Sequence, residues 1–137
     1  MNFNNIRFEK NDKSFRIYNA LILIIALSLF FLNNIFFKSI HIFFSFYFSD
    51  LLAAIVLFSF LNMVYMIKIK NIWILLIITA VASFIWEYVA LFIKKGAIFD
   101  LNDVFCYFIS CLIYICLIHL YEYKIKNSNI PEFYNVK

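Results

Sequence analysis

The chain has 137 residues, of which 66% are hydrophobic, 22% aromatic and only 15% charged, with a formal net charge of +4. A soluble domain carries roughly 25% charged residues, and a fold of this size could not cover its core with so little polar surface. The composition excludes a water-soluble globular domain. The twelve basic residues are spread along the chain as topology charges rather than gathered into a nucleic-acid-binding patch.

Gly96 and Pro131 are the only residues of their kinds. Long, unbroken apolar runs with so few breakers predict an all-α integral membrane bundle, not a β-barrel, whose strands would alternate over segments of about ten residues. In chain order, residues 1–16 form a basic N-terminal arm. Its charge suits contact with anionic lipid, but Glu9 and Asp12 dilute it, and a solvated arm accounts for it equally well. A single transmembrane domain over 17–121 then holds four runs near the about 20 residues a helix needs to cross a bilayer. These are Ile17 to Phe37, Asp50 to Ile67, Ile72 to Ile93 and Asp103 to Tyr121. The first span lacks a small-x-small cleavage site after its core and reads as uncleaved. The aromatic stretch 38–49 is too short to span and reads as an interfacial loop. Residues 122–137 form a short polar tail.

With four spans, the N-terminal arm, the second loop and the C-terminal tail share one side. Arg7, Lys10, Lys13, Arg16, Lys68, Lys70, Lys124, Lys126 and Lys137 fall there, nine of the twelve basic residues; Lys38, Lys94 and Lys95 fall on the other. The bias predicts that both termini are cytoplasmic. Cys106, Cys111 and Cys116 recur every five residues, about 140° apart on each step around a helix. They share no face and read as small apolar residues rather than metal ligands.

The acids then sort themselves. Glu9, Asp12, Glu122 and Glu132 lie at the predicted cytoplasmic ends. Asp50, Glu87, Asp100 and Asp103 all fall toward the opposite leaflet. Glu87 is the costly one, because an ionisable group inside a span costs several kcal/mol, on the order of 2.5–3.5 by insertion scales, unless it is neutral, paired or facing water. Its basic candidates are Lys38, His41, Lys94 and Lys95. Thr79 and Ser83 precede Glu87 at four-residue steps and form a polar stripe. Asp103, Tyr107, Ser110 and Tyr114 form a second stripe on the fourth span. These stripes are expected to face each other, and Ala53 and Ala54 to admit a close helix. Each aspartate has a plainer reading: Asp50, and one of Asp100 and Asp103, would suit a helix N-cap. His41 and His119 read as interfacial, and Trp73 and Trp86 as packing or belt aromatics.

The order Glu87, sixteen residues, then Asp103, Tyr107 and Ser110 resembles the Glu…Asp-x-x-x-Asn-x-x-Gly pattern of the VanZ-like family of small bacterial membrane proteins. Asp50 in "FYFSDLLAA" is similar to an earlier aspartate of that family, and the resemblance covers roughly 47–110. Tyr107 stands where Asn is usual, Ser110 where Gly is usual and Ala90 where a Gln often follows. The resemblance implies a bacterial envelope setting, in which some members lower susceptibility to glycopeptide antibiotics.

The leading expectation is a non-catalytic protein of the bacterial cytoplasmic membrane whose outer acid cluster (Asp50, Glu87, Asp100, Asp103) binds a membrane lipid, a lipid-linked envelope precursor, a glycopeptide antibiotic or a cation. Thr79, Ser83, Tyr107 and Ser110 support the cluster. No cofactor is expected beyond a divalent or monovalent cation there. A proton- or cation-coupled transporter is the second expectation; it would call for a homo-oligomer, since four spans rarely enclose a pathway. A scaffold subunit is the third. A lipid enzyme ranks last, because no nucleophile sits beside a base.

Overall fold

The structure, a computed structural model, describes residues 12–37, 47–65, 68–93 and 100–128. The predicted arm up to residue 11, most of the interfacial loop (38–46), His41, the third-loop lysines and the tail from 129 lie outside the described residues.

The fold is all-α: four helices packed together, three of them long and apolar enough to cross a membrane. Helix α1 runs Lys13–Leu32 and ends in a π-helical turn, Asn33–Phe37. Helix α2 is Phe48–Val64, α3 is Ile72–Ile93 and α4 is Leu101–Ser128. The third predicted span matches α3 residue for residue. The first begins earlier than predicted because Asp12 caps it: its carboxylate accepts from the Phe15 amide at 2.6 Å, satisfying a donor that the first turn would otherwise leave open. Helix α4 continues past Tyr121, since no Gly or Pro interrupts it before Pro131.

Helix α2 is where the structure departs from the expectation of four spans: three of the helices are long and apolar enough to cross a membrane, and α2 is shorter. Its 17 residues give about 25 Å at 1.5 Å per residue, against a hydrocarbon core of roughly 30 Å. Asn62 brings the chain to its end. Its amide donates to the Ile69 carbonyl at 3.0 Å and accepts from the Ile69 N–H at 2.7 Å. That pairing draws the returning chain back against the last turn of α2.

Helix α2 packs against both α1 and α4, and α3 packs against α4. Along α1 the buried residues Phe15, Asn19, Ile22 and Ala26 recur at steps of four, three and four. On α2, Leu52, Ile55, Ser59 and Asn62 do the same at steps of three, four and three. These are the seams of two antiparallel neighbours. In lipid the apolar effect does not drive helices together; close van der Waals fit and hydrogen bonds do. The seams accordingly hold small and polar residues, while Ile24, Ile77 and Phe84 face outward.

One polar network ties three elements. The Tyr114 hydroxyl donates to Asn19 Oδ1 at 2.6 Å and accepts from Asn62 Nδ2 at 2.8 Å. Asn19 in turn donates to the Phe15 carbonyl at 2.9 Å. Tyr114, Asn19 and Asn62 are fully buried. At the same end, Lys68 pairs with Asp12 and Lys70 with Glu122, each at 2.9 Å. The Lys68 ammonium also lies 5.0 Å from the centre of the Phe15 ring. Arg16 donates to the Met63 carbonyl at 2.9 Å. This is the basic end of the bundle; Asp50 and Asp103 mark the acidic end.

The hydrogen bond from Lys68 and that from the Phe15 amide hold the Asp12 carboxyl below its ordinary value of 3.8. A depressed folded-state value means that the stabilisation is present above the unfolded value and fades as pH falls through the folded one. Asp12 is half exposed, so the ion pair itself contributes little. Asp12→Ala is expected to lose the cap, about 0.5–2 kcal/mol. Asp12→Asn should keep most of it yet lose the acid dependence below about pH 4. Hydrogen exchange at the first turn of α1, followed against pH, checks both.

Candidate functional site

Both helices that begin at the acidic end carry an aspartate in their first turn: Asp50 in α2 and Asp103 in α4. The positive end of a helix dipole favours a negative group there. Neither is the capping residue. Tyr47 stands at the N-cap of α2. At α4 the cap is Asp100, whose carboxylate accepts from the Asn102 amide at 2.8 Å. The plainer reading thus holds for Asp100, while the helix geometry leaves Asp50 and Asp103 unused as caps.

Tyr107 lies one turn below Asp103 and reaches across to α2. Its hydroxyl donates to Asp50 Oδ1 at 3.0 Å. The phenol sits within the electrostatic field of Asp50, Glu87 and Asp103 together. The neighbouring Cys106 thiol sits within that of Asp50, Asp103 and Asp100. Three elements therefore bring the four acids around residues 106 and 107. Glu87, from α3, is 6% exposed, and no hydrogen bond or ion pair joins it to another described residue. Among the described residues no group of three or more His, Cys, Asp or Glu is placed to hold a metal ion.

Among the described residues, no hydrogen bond joins Thr79 or Ser83 of the α3 stripe to the α4 stripe that it was expected to face. The stripe on α4 turns to α2: Tyr107 bonds Asp50, Ser110 Oγ accepts from the Ile55 amide at 3.1 Å, and Tyr114 joins Asn19 and Asn62. Ala54 is buried one residue before Ile55, so the missing side-chain bulk lets α4 approach the α2 backbone as predicted. The stripe on α3 satisfies itself. Thr79 donates to the Leu75 carbonyl at 2.8 Å and Ser83 to that of Ala80 at 3.0 Å. The Thr79 hydroxyl also lies beside the Cys111 thiol of α4. A hydroxyl one turn from its own carbonyls has a partner within its own helix, so spacing alone could not show which neighbour each stripe would meet.

Because α3 leans on α4 rather than α2, a groove of about 590 Å³ remains between α2 and α3. Leu27 and Phe30 of α1, Ala53 and Leu57 of α2, and Thr79 and Ser83 of α3 form its walls. Asp50 and Tyr107 also border it. On α2 the wall runs from Asp50 to Phe60, ten residues or about 15 Å. That is about half of a roughly 30 Å hydrocarbon core, the depth of one leaflet. At its rim Phe60 is 49% and Trp86 60% exposed, so the groove is open along the outside of the bundle. Trp86, expected as a packing or belt aromatic, stands at this rim. His119 is exposed on α4.

The fold defines the class: a small helical protein with three candidate membrane spans and a lateral groove bordered by a carboxylate. No family model matches the chain, and no curated protein or solved structure is detectably similar to it.

Proposed function

We propose that the protein is a non-catalytic, multi-pass component of the bacterial cytoplasmic membrane that holds a membrane lipid in the groove between α2 and α3. The carrying observation is the join of two environments: an apolar groove one leaflet deep, bordered by the Asp50–Tyr107 pair. Its volume falls within the roughly 300–1,000 Å³ of small-molecule sites. Apolar walls suit an acyl chain, and a carboxylate held by a phenol suits the headgroup. The nine-to-three bias of basic residues supports cytoplasmic termini, which sets the groove in the outer leaflet. The order Asp50, Glu87, Asp103 supports a VanZ-like reading, in which the acids serve an envelope ligand.

The test is analysis of lipid retained by the full chain after extraction in mild detergent. The double variant Asp50→Asn, Tyr107→Phe is expected to retain about tenfold less, equivalent to 1.4 kcal/mol. Retention unchanged in that variant sinks the reading. A lipid-linked precursor, a glycopeptide or a metal ion recovered in the lipid's place would redirect it to that ligand. Loss of a partner subunit in the same variant would instead favour a scaffold.

A further inference from the structure

We infer that the groove selects a lipid by the length of its acyl chain, and that Leu75 of α3 sets the limit. This rests on the reading of the groove as a lipid site, and adds which chain it takes. The groove has one closed end. Toward the basic end of the bundle, the paired hydrogen bonds of Asn62 with the Ile69 backbone tie α2 to the chain just before α3 begins. The α3 wall consists of Thr79, Ala82, Ser83 and Trp86. At about 100° per residue these four fall within a sector of about 100° around the helix. Leu75 falls inside the same sector, one turn nearer the basic end. Along that sector Trp86 is exposed and Ala82 half-buried, whereas Thr79 is 2% exposed and Leu75 fully buried. The face that is open at Trp86 is therefore filled at Leu75.

In a bilayer such a groove neither stays empty nor fills with water. An unfilled gap forfeits the dispersion contacts of its lining. A water needs about two to four polar partners, which walls of Leu27, Phe30, Ala53 and Leu57 do not supply. The solvent that reaches it from the outside of the bundle is the acyl chain. The length of that chain follows from the wall. An extended polypeptide advances about 3.3–3.6 Å over three backbone bonds, so an extended hydrocarbon advances about 1.2 Å per bond. The wall from Asp50 to Phe60, about 15 Å, therefore takes a chain of about twelve carbons. A shorter chain leaves the closed end unfilled. A longer one has to turn outward at Leu75.

The experiment reconstitutes the full chain in nanodiscs of equal parts phosphatidylethanolamines with straight chains of ten, twelve, fourteen, sixteen and eighteen carbons. All lengths then compete under one headgroup and at one bilayer thickness. Lipids that remain bound on transfer to detergent are counted by native mass spectrometry. The expected result is retention of the twelve-carbon lipid at least threefold above the eighteen-carbon one, relative to the starting mixture. Leu75→Ala removes three carbon atoms from the closed end and is expected to move the maximum up by two to four carbons. Ala82→Leu adds three to a half-buried position nearer the mouth and is expected to move it down by as much. If Leu75→Ala does not fold, the Ala82→Leu shift alone decides. Equal retention of all lengths overturns the inference and leaves the groove reading standing. So does a maximum that a folded Leu75→Ala, or Ala82→Leu, leaves in place. No retained lipid of any length overturns both.

Discussion

Tyr114→Ala is expected to lower the stability of the bundle by about 3–5 kcal/mol, the range for removing a large buried aromatic. Two effects add here. The Phe58 ring, stacked on Tyr114 at 5.5 Å between centres, loses its neighbour. Asn19 and Asn62 lose the hydroxyl that links them, in a setting where water cannot easily replace it. Tyr114→Phe separates the two, because it keeps the ring and removes only the hydroxyl. Its expected cost is about 0.6–2 kcal/mol, the range for a hydrogen bond between membrane helices. Unfolding in mixed micelles with increasing denaturing detergent measures both. An alanine variant no weaker than the phenylalanine variant would show that the ring packing contributes nothing.

Ala53→Trp combined with Leu57→Trp is expected to empty the groove of lipid while leaving the fold intact. Both side chains line the groove and neither belongs to the α1–α2 seam, which runs through Leu52, Ile55, Ser59 and Asn62. The added rings therefore enter the space between α2 and α3 rather than a packed interface. Overpacking a filled core costs about 1–3 kcal/mol; filling an open groove with rings that bury apolar area should cost less. Bound lipid is expected to fall at least tenfold, with a melting temperature within a few degrees of the parent. A drop in both quantities would mean that α3 sits against α2 more closely than the groove implies.

The outline of the bundle was legible because apolar length is a property of single segments. The boundaries of α3 follow directly from its run of 22 residues. The caps were harder: Asp12 sits among polar residues that suggested a solvated arm, and only its bond to the Phe15 amide shows that α1 starts there. The acids at one end were legible too, since Asp50, Glu87 and Asp103 stand out against apolar neighbours. Their joint position around Tyr107 depends on which helices touch, and no periodicity within one helix contains that. The same limit hid the network of Asn19, Asn62 and Tyr114. A signal for it was present: Asn19, Asn33, Ser59 and Asn62 are polar interruptions of spans, and all four are buried. In a membrane such interruptions mark the inward face. Applied to α1 and α2 as it was to α3 and α4, that rule would have found both seams. The groove was not legible at all, because it arises from a packing preference of α3 for α4 over α2.

The central claim is that an acyl chain lies between α2 and α3 on the side bearing Asp50. Photo-crosslinking tests it most directly, using a phosphatidylethanolamine with a diazirine midway along one chain and mapping the labelled residues by mass spectrometry. The account predicts label concentrated on Ala53, Leu57, Thr79 and Ser83, and its loss from those positions in the tryptophan double variant. Label spread evenly over the exposed face of α3, through Ile77, Val81 and Phe84, with none in the groove would contradict it.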